Sequence, residues 1–156
     1  MAIEQVVDYL KTFGAEDKIR RFDVSSATVA LAAQALGCEE ARIAKTMSFL
    51  VQDHAVLIVT AGDTKVNSAK FKAKFGVKAK MLTAEQLIEL VGHAPGGVCP
   101  FAVKEGCEVF LDESLKRFDI VYPAAGNAAS AVELTLPELE RFSRSKGWVD
   151  VCALPG

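Results

Sequence analysis

Apolar residues repeat along the chain at two spacings, which predict helices and strands. The three- and four-residue spacing of a helix buried on one side occurs at residues 3–10, and Gly14 follows as a stop. Similar signals, each with a polar side chain able to cap the first turn, predict four further helices at residues 28–36, 67–75, 84–91 and 137–143.

Shorter apolar runs predict strands between these helices. They occur at residues 18–24, 43–51, 55–61, 77–81, 108–111, 120–123 and 131–134. The polar link Gln52-Asp53-His54 predicts an antiparallel hairpin. Because helices and strands interleave and a hairpin is also present, we predict an α/β (α+β-like) fold with a mixed sheet wrapped by helices. The length of 156 residues suits a single domain over residues 1–156.

Composition narrows the class of protein. The chain is 51% apolar with only 5 prolines, which predicts a packed core. No run approaches the ~18 apolar residues of a membrane helix, and no signal peptide is visible, so we expect a cytoplasmic protein without membrane contact. Four cysteines without a CxxC pair and 2 histidines argue against a metal site. Walker, dinucleotide, GxSxG and HExxH motifs are missing, and we expect no cofactor.

The formal net charge of −2 hides a basic segment. Residues 65–80 contain six lysines and no acid, whereas the rest of the chain carries 12 basic and 20 acidic residues. A basic patch on an acidic protein suits a phosphate-bearing partner, and the lack of arginine favours backbone contact over base reading. A solvated helix face explains the same charges without a partner.

Three features are candidates for chemistry, of which the third, Gly126-Asn127, is by itself only a turn signal. Lys45 opens a mostly apolar strand, where a lysine either binds a phosphate or carbonyl, or reaches solvent from the strand end. The loop over residues 92–100 places Gly96-Gly97 between two prolines, so its N–H groups can approach a ligand as in an oxyanion hole or phosphate nest. An ordinary surface connection has the same composition. Cys99 and His93 in this loop also allow a thiol–imidazole pair.

Taken together, these segments resemble the YbaK/EbsC family, which contains the editing (insertion) domain of bacterial prolyl-tRNA synthetase and its free-standing relatives. The resemblance rests on residues 27–37, on Ile43-Ala44-Lys45-Thr46 and on Gly96-Gly97-Val98-Cys99-Pro100-Phe101. Weaker matches are Gly62-Asp63, Val66-Asn67, residues 110–115 and Ala125-Gly126, so that the likeness spans about residues 3–143.

The resemblance implies a partly barrel-like sheet and a trans-editing aminoacyl-tRNA deacylase. Its substrate would be mischarged tRNA, often the tRNA for proline, carrying Ala, Cys, Ser or Thr; prolyl-tRNA synthetase is a candidate partner. The implied catalytic residues are Lys45, Gly96, Gly97 and Pro100. Implied substrate contacts are Thr46, Gly62, Asn67, His93, Val98, Cys99 and Gly126. The lysines that would meet the tRNA backbone are Lys65, Lys70, Lys72 and Lys74.

Two other functions stay open at the level of sequence. A non-catalytic module that binds tRNA or an aminoacyl ligand would share the fold, although both Lys45 and the glycine loop are present here. A thiol enzyme would use Cys99, where the family often has serine. A deacylase should keep its activity when Cys99 is replaced by serine, whereas a thiol enzyme should lose its activity.

Overall fold

The computed structural model describes residues 2–22, 28–127 and 129–154, which form five α-helices and ten strands. The helices are α1 (Ala2–Lys11), α2 (Val29–Leu36), α3 (Ser68–Phe75), α4 (Ala84–Gln86, continued by a π-helical turn over Leu87–Val91) and α5 (Leu136–Ser143). Side chains that accept a hydrogen bond from the first-turn backbone cap four of them, namely Thr28, Asn67, Thr83 and Thr135. The predicted helices are therefore confirmed, with local capping as the physical reason for where most begin.

The strands are β1 (Ile19–Arg21), β2 (Ile43–Val51), β3 (His54–Ala61), β4 (Lys65–Val66), β5 (Glu108–Asp112), β6 (Ile120–Pro123), β7 (Ser130–Val132), β8 (Leu134–Thr135), β9 (Trp148–Val149) and β10 (Cys152–Ala153). Six of them form a curled half-barrel sheet in the order β8-β6-β2-β3-β5-β9. The β2–β3 and β6–β8 pairs are antiparallel and the others parallel, which confirms the predicted mixed sheet. Strands β1 with β7, and β4 with β10, form two separate antiparallel pairs.

The sheet is covered on both faces, which is why β3 is buried along almost its whole length. Successive residues of a strand point to opposite faces. Leu57 and Val59 accordingly belong to the main core with α1, α4 and α5, whereas Val56 and Ile58 pack against Phe71 of α3 in a second cluster.

Three predicted strands differ from the structure. Residues 77–81 do not form a strand, because this segment contributes only one isolated bridge, between Met81 and Phe49 of β2. The predicted strand at 131–134 is divided into β7 and β8. Of residues 18–24, the structure shows β1 over 19–21, while residues 23 and 24 lie outside the described residues.

In the part of the chain that the structure describes, no helix has the length and apolar character needed to cross a membrane.

Candidate active site

A cavity of about 300 Å³ opens beside a break in the pairing of strand β2. The ladder with β6 ends at Ala44, and the bridge to the Lys80–Leu82 segment begins at Ser48. The strand edge at Thr46 lies between them and borders the cavity. The remaining walls come from the start of α2 and from the segments around Gly96 and Asn127, so that four distant parts of the chain meet here.

Lys45 lines this cavity and is about half-buried. Its ammonium group donates a hydrogen bond to the carbonyl oxygen of Thr64, in the turn that follows β3. Burial lowers the pKa of Lys45, because the charged form loses solvation. An ammonium group has three donors and only this one hydrogen bond is formed among the described residues, so the cation retains donors for a ligand oxygen.

The turn that holds Lys45 is itself fixed by an ion pair. Asp63 accepts two hydrogen bonds from the Arg117 guanidinium, at 2.6 and 3.1 Å. The hydrogen bond from Arg117 holds the pKa of Asp63 below its usual value. Asp63 is engaged by Arg117, and within residues 2–22, 28–127 and 129–154 Lys45 forms no ion pair; its hydrogen bond goes to a backbone carbonyl.

Thr46, the next residue, presents a polar atom without a partner. Its side-chain oxygen Oγ1 is buried and forms no hydrogen bond among the described residues, and the residue lines the cavity. A buried hydroxyl without a partner is costly, at about 1–3 kcal/mol, and is therefore uncommon. The residue borders the cavity, but this oxygen itself is buried, so a ligand reaches it only if neighbouring atoms shift.

The glycine loop closes the cavity from the opposite side. Gly96, at φ +89°, and Val98 both line it. Gly97 packs directly against the loop after β6: a Cβ atom at this position would lie 2.5 Å from the carbonyl oxygen of Gly126. Gly97 is therefore a glycine because the two loops touch backbone to backbone, and Gly126 takes part as the other side of this contact.

Asn127 belongs to the site, although in the sequence Gly126-Asn127 is only a turn signal. Its amide oxygen Oδ1 accepts hydrogen bonds from the Ala129 N–H at 2.9 Å and from the Ser130 hydroxyl at 2.7 Å. These two donors fix the orientation of the amide, and the residue lines the cavity. Among the described residues no hydrogen bond uses the Nδ2 group, which is therefore an oriented donor.

His93 and Cys99 lie inside the loop and not on the cavity wall. Their side chains are 1% and 0% exposed. His93 Nε2 donates to the Phe101 carbonyl oxygen at 2.8 Å, because a carbonyl can only accept, and Cys99 Sγ lies 3.6 Å from the same nitrogen. This nitrogen has no free lone pair to take a thiol proton. Burial also raises the pKa of Cys99 to about 12, so the geometry argues against a thiol–imidazole nucleophile.

Three other predicted site residues, and the four predicted tRNA-contacting lysines, are not part of the lining of this cavity. Pro100 is buried and lines a second cavity. Asn67 caps α3 by accepting a hydrogen bond from the Lys70 N–H. Gly62 allows close packing, since a Cβ atom there would lie 2.1 Å from the Glu40 carbonyl oxygen. Among the predicted tRNA-contacting lysines, Lys70 is paired with Asp150 at 3.1 Å, whereas the remaining three, Lys65, Lys72 and Lys74, are exposed.

Comparison with known proteins identifies the family of this chain. The chain belongs to the aminoacyl-tRNA editing domain family, whose model matches residues 24–142. It is 46% identical over 153 residues to the uncharacterized protein YwhH of Bacillus subtilis (strain 168), covering 97% of this chain and 98% of that protein. It is 31% identical over 85 residues to a proline–tRNA ligase of Bacillus pumilus, covering 54% of this chain and 15% of the ligase.

Solved structures show the same architecture along nearly the whole chain. A crystal structure described as a candidate trans-editing enzyme for prolyl-tRNA synthetase superposes with a TM-score of 0.88 at 27% identity, covering 97% of each chain. The hypothetical protein APE2540 superposes with a TM-score of 0.85 at 27% identity, covering 96% of this chain and 99% of that chain. The predicted family and fold are thus confirmed.

Proposed function

We propose that this protein is an aminoacyl-tRNA deacylase that acts in trans on mischarged tRNA, with the tRNA for proline as its substrate. One observation carries the proposal: the cavity joins the Lys45 cation, the unpartnered Thr46 hydroxyl, the glycine loop and the oriented Asn127 amide. The described residues of its lining include no Asp, Glu, His or Cys. The site offers donors for oxygen atoms and lacks a thiol or carboxylate nucleophile, which suits attack by water on a ready-made ester.

The reaction needs little more than positioning and charge stabilisation, because an aminoacyl ester is already activated. Water attacks the ester carbonyl, the carbonyl oxygen becomes negative, and the ribose oxygen departs with a proton. Donors placed at the developing oxyanion contribute about 10²–10³-fold each in rate. In this proposal Asn127 Nδ2 and the N–H groups of the Gly96-Gly97 loop are those donors. The neighbouring ribose hydroxyl assists the water.

Lys45 and Thr46 have separate tasks in this arrangement. The Lys45 ammonium binds the phosphate of the terminal adenosine or the acyl oxygen, since it keeps donors beyond its bond to Thr64. The Thr46 hydroxyl accepts a hydrogen bond from the α-ammonium group of the amino acid, which satisfies its buried oxygen. The cavity of about 300 Å³ has room for the aminoacyl group of each of the four candidates, Ala, Ser, Cys and Thr.

A deacylation panel tests the proposal. Proline tRNA charged with Ala, Ser, Thr or Cys is incubated with the protein, with Lys45→Met and with Lys11→Met, a control that removes an exposed lysine of α1. We expect the protein and the control to hydrolyse at least one ester well above buffer, and Lys45→Met to be at least ~10²-fold slower with an unchanged melting temperature. Equal hydrolysis with and without protein for all four esters would contradict the enzyme proposal and leave the non-catalytic binding module.

The exposed lysines of α3 supply a surface for the acceptor stem. Lys72 and Lys74 carry no ion pair among the described residues, unlike Lys70. Reversing both charges to Glu should weaken tRNA binding and lower the salt dependence of log K by about 2, since each phosphate contact contributes ~0.9. Lys11→Glu serves as the control. Unchanged tRNA affinity and salt dependence in the double variant would show that the stem lies elsewhere.

A further inference from the structure

A second cavity of about 210 Å³ lies between the end of α5 and the segment that follows the glycine loop. Three cations line it, Lys104, Arg144 and Lys146, and its described lining contains no carboxylate. All three residues are exposed and line one cavity, so three like charges are gathered in one region of the surface. None of the ion pairs between described residues involves any of the three.

Contacts near the cavity orient two of these side chains and position the backbone of the third residue. Lys104 Nζ donates to the Glu89 carbonyl oxygen at 3.0 Å and keeps its other donors. The Arg144 guanidinium lies 5.6 Å from the centre of the Tyr9 ring. The backbone N–H of Lys146 donates to the Val109 carbonyl oxygen at 2.7 Å. Two of the three charged groups are therefore partly ordered before any ligand arrives, which reduces the ordering that binding requires.

The backbone around this cavity is also unusual. Among the described residues, three that are not glycine have a positive φ, and two of them, Ala102 at φ +55° and Arg144 at φ +52°, line this cavity. Such conformations cost of order 1–3 kcal/mol elsewhere in proteins and concentrate at ligand-binding positions. Pro100, the last residue of the glycine loop, forms part of the same wall, so that the cavity adjoins the candidate active site without sharing its lining.

We propose that this second cavity is a phosphate-binding site. A phosphate group supplies the double negative charge and the acceptor oxygens that one guanidinium and two ammonium groups match. Two sources carry this chemistry: inorganic phosphate free in solution, and a phosphate of the RNA, such as the 5′-terminal phosphate of an acceptor stem. Binding of either kind is independent of the proposed deacylase activity.

Titration with inorganic phosphate tests the site. Phosphate is added to the full chain at constant ionic strength, balanced with chloride, and binding is followed by calorimetry and by melting temperature. The test variant is Arg144→Gln/Lys146→Gln, and the matched control is Lys11→Gln/Lys78→Gln, which removes the same charge from two exposed lysines that line neither cavity. We expect saturable binding to the protein and to the control, and at least tenfold weaker binding to the test variant.

Two further measurements identify the source of the phosphate. The affinity of the protein for an acceptor-stem minihelix is measured with and without the 5′-phosphate of the RNA. Tighter binding of the phosphorylated minihelix, lost in Arg144→Gln/Lys146→Gln, assigns the site to RNA; equal binding of the two minihelices, with phosphate still bound, assigns it to the free anion. The proposal is overturned if phosphate shows no saturable binding, or if the test variant and control bind it equally. In that case the role of these cations is to interact with the negative end of the α5 helix dipole.

Discussion

Replacing Gly97 by alanine inserts a methyl group between the two loops that form the candidate oxyanion site. The added Cβ atom would lie 2.5 Å from the Gly126 carbonyl oxygen and 2.8 Å from the Asn127 Cα. Both contacts are with backbone, so no side chain can rotate away. The loops must separate by at least about half an ångström to reach 3.0 Å, the lower limit of real contacts.

This separation should affect both stability and catalysis. Overpacking of this kind costs about 1–3 kcal/mol, and each kcal/mol lowers Tm by about 2–4 °C in a chain of this size. The same shift moves Asn127 away from the Gly96 loop, and displacements of this order cost up to ~10²-fold in rate. We therefore expect kcat/KM for deacylation to fall 10- to 100-fold while the protein stays folded at 25 °C.

Single-turnover deacylation together with thermal unfolding measures both effects. Gly14→Ala is the control, because Gly14 has φ +69° and open space around an added Cβ atom, so that alanine there strains the backbone far from the cavity. The control should lose stability, about 1 kcal/mol, and keep its kcat/KM. The reasoning is refuted if Gly97→Ala retains full kcat/KM, or if Gly14→Ala loses as much activity.

Three further predictions concern neighbouring side chains. Asn127→Asp keeps the acceptor for Ala129 and Ser130 but replaces the Nδ2 donor with a negative oxygen, so kcat should fall at least ~10²-fold with little change in Tm, as deacylation and melting assays would show. Cys99→Ser should keep full deacylase activity, because the buried thiol donates to the Phe101 carbonyl and does not reach the cavity. Loss of activity in this variant would support the alternative hypothesis of a thiol enzyme. Burial lowers the pKa of His93 below its ordinary value of 6.5. Just below pH 6.5 the unfolded chain therefore binds a proton at His93, whereas the folded protein does not. The free energy of unfolding should accordingly decrease as the pH falls through this window. His93→Gln should reduce this slope of Tm against pH, and an unchanged slope would contradict the assignment.

The elements that sequence predicted well are those fixed by local interactions. Thr28, Thr83 and Thr135 cap helices through hydrogen bonds to residues three positions ahead. The β2–β3 hairpin closes over a two-residue turn in which Gln52 takes φ +56°. Such signals lie within a few residues of one another and are readable without knowledge of the fold.

The errors and omissions depend on residues far apart in the chain. Residues 77–81 alternate apolar side chains with lysines as a strand would, but a strand also needs a partner along its length, and only one bridge is formed. The basic segment looked free of acids, yet Asp150, 80 residues from Lys70, pairs with it in space. The contact of Gly97 with Gly126, and the facing of Asn127 into the cavity, likewise arise only when the two loops are brought together.

The most direct test of the account is a crystal structure with a stable amide analogue, 3′-deoxy-3′-(alanylamino)adenosine. We predict that its acyl carbonyl oxygen lies within about 3.1 Å of Asn127 Nδ2 or a backbone N–H of the Gly96-Gly97 loop. Its α-ammonium group should donate to Thr46 Oγ1. An analogue bound outside this cavity, or with its carbonyl directed away from both loops, would contradict the proposed active site.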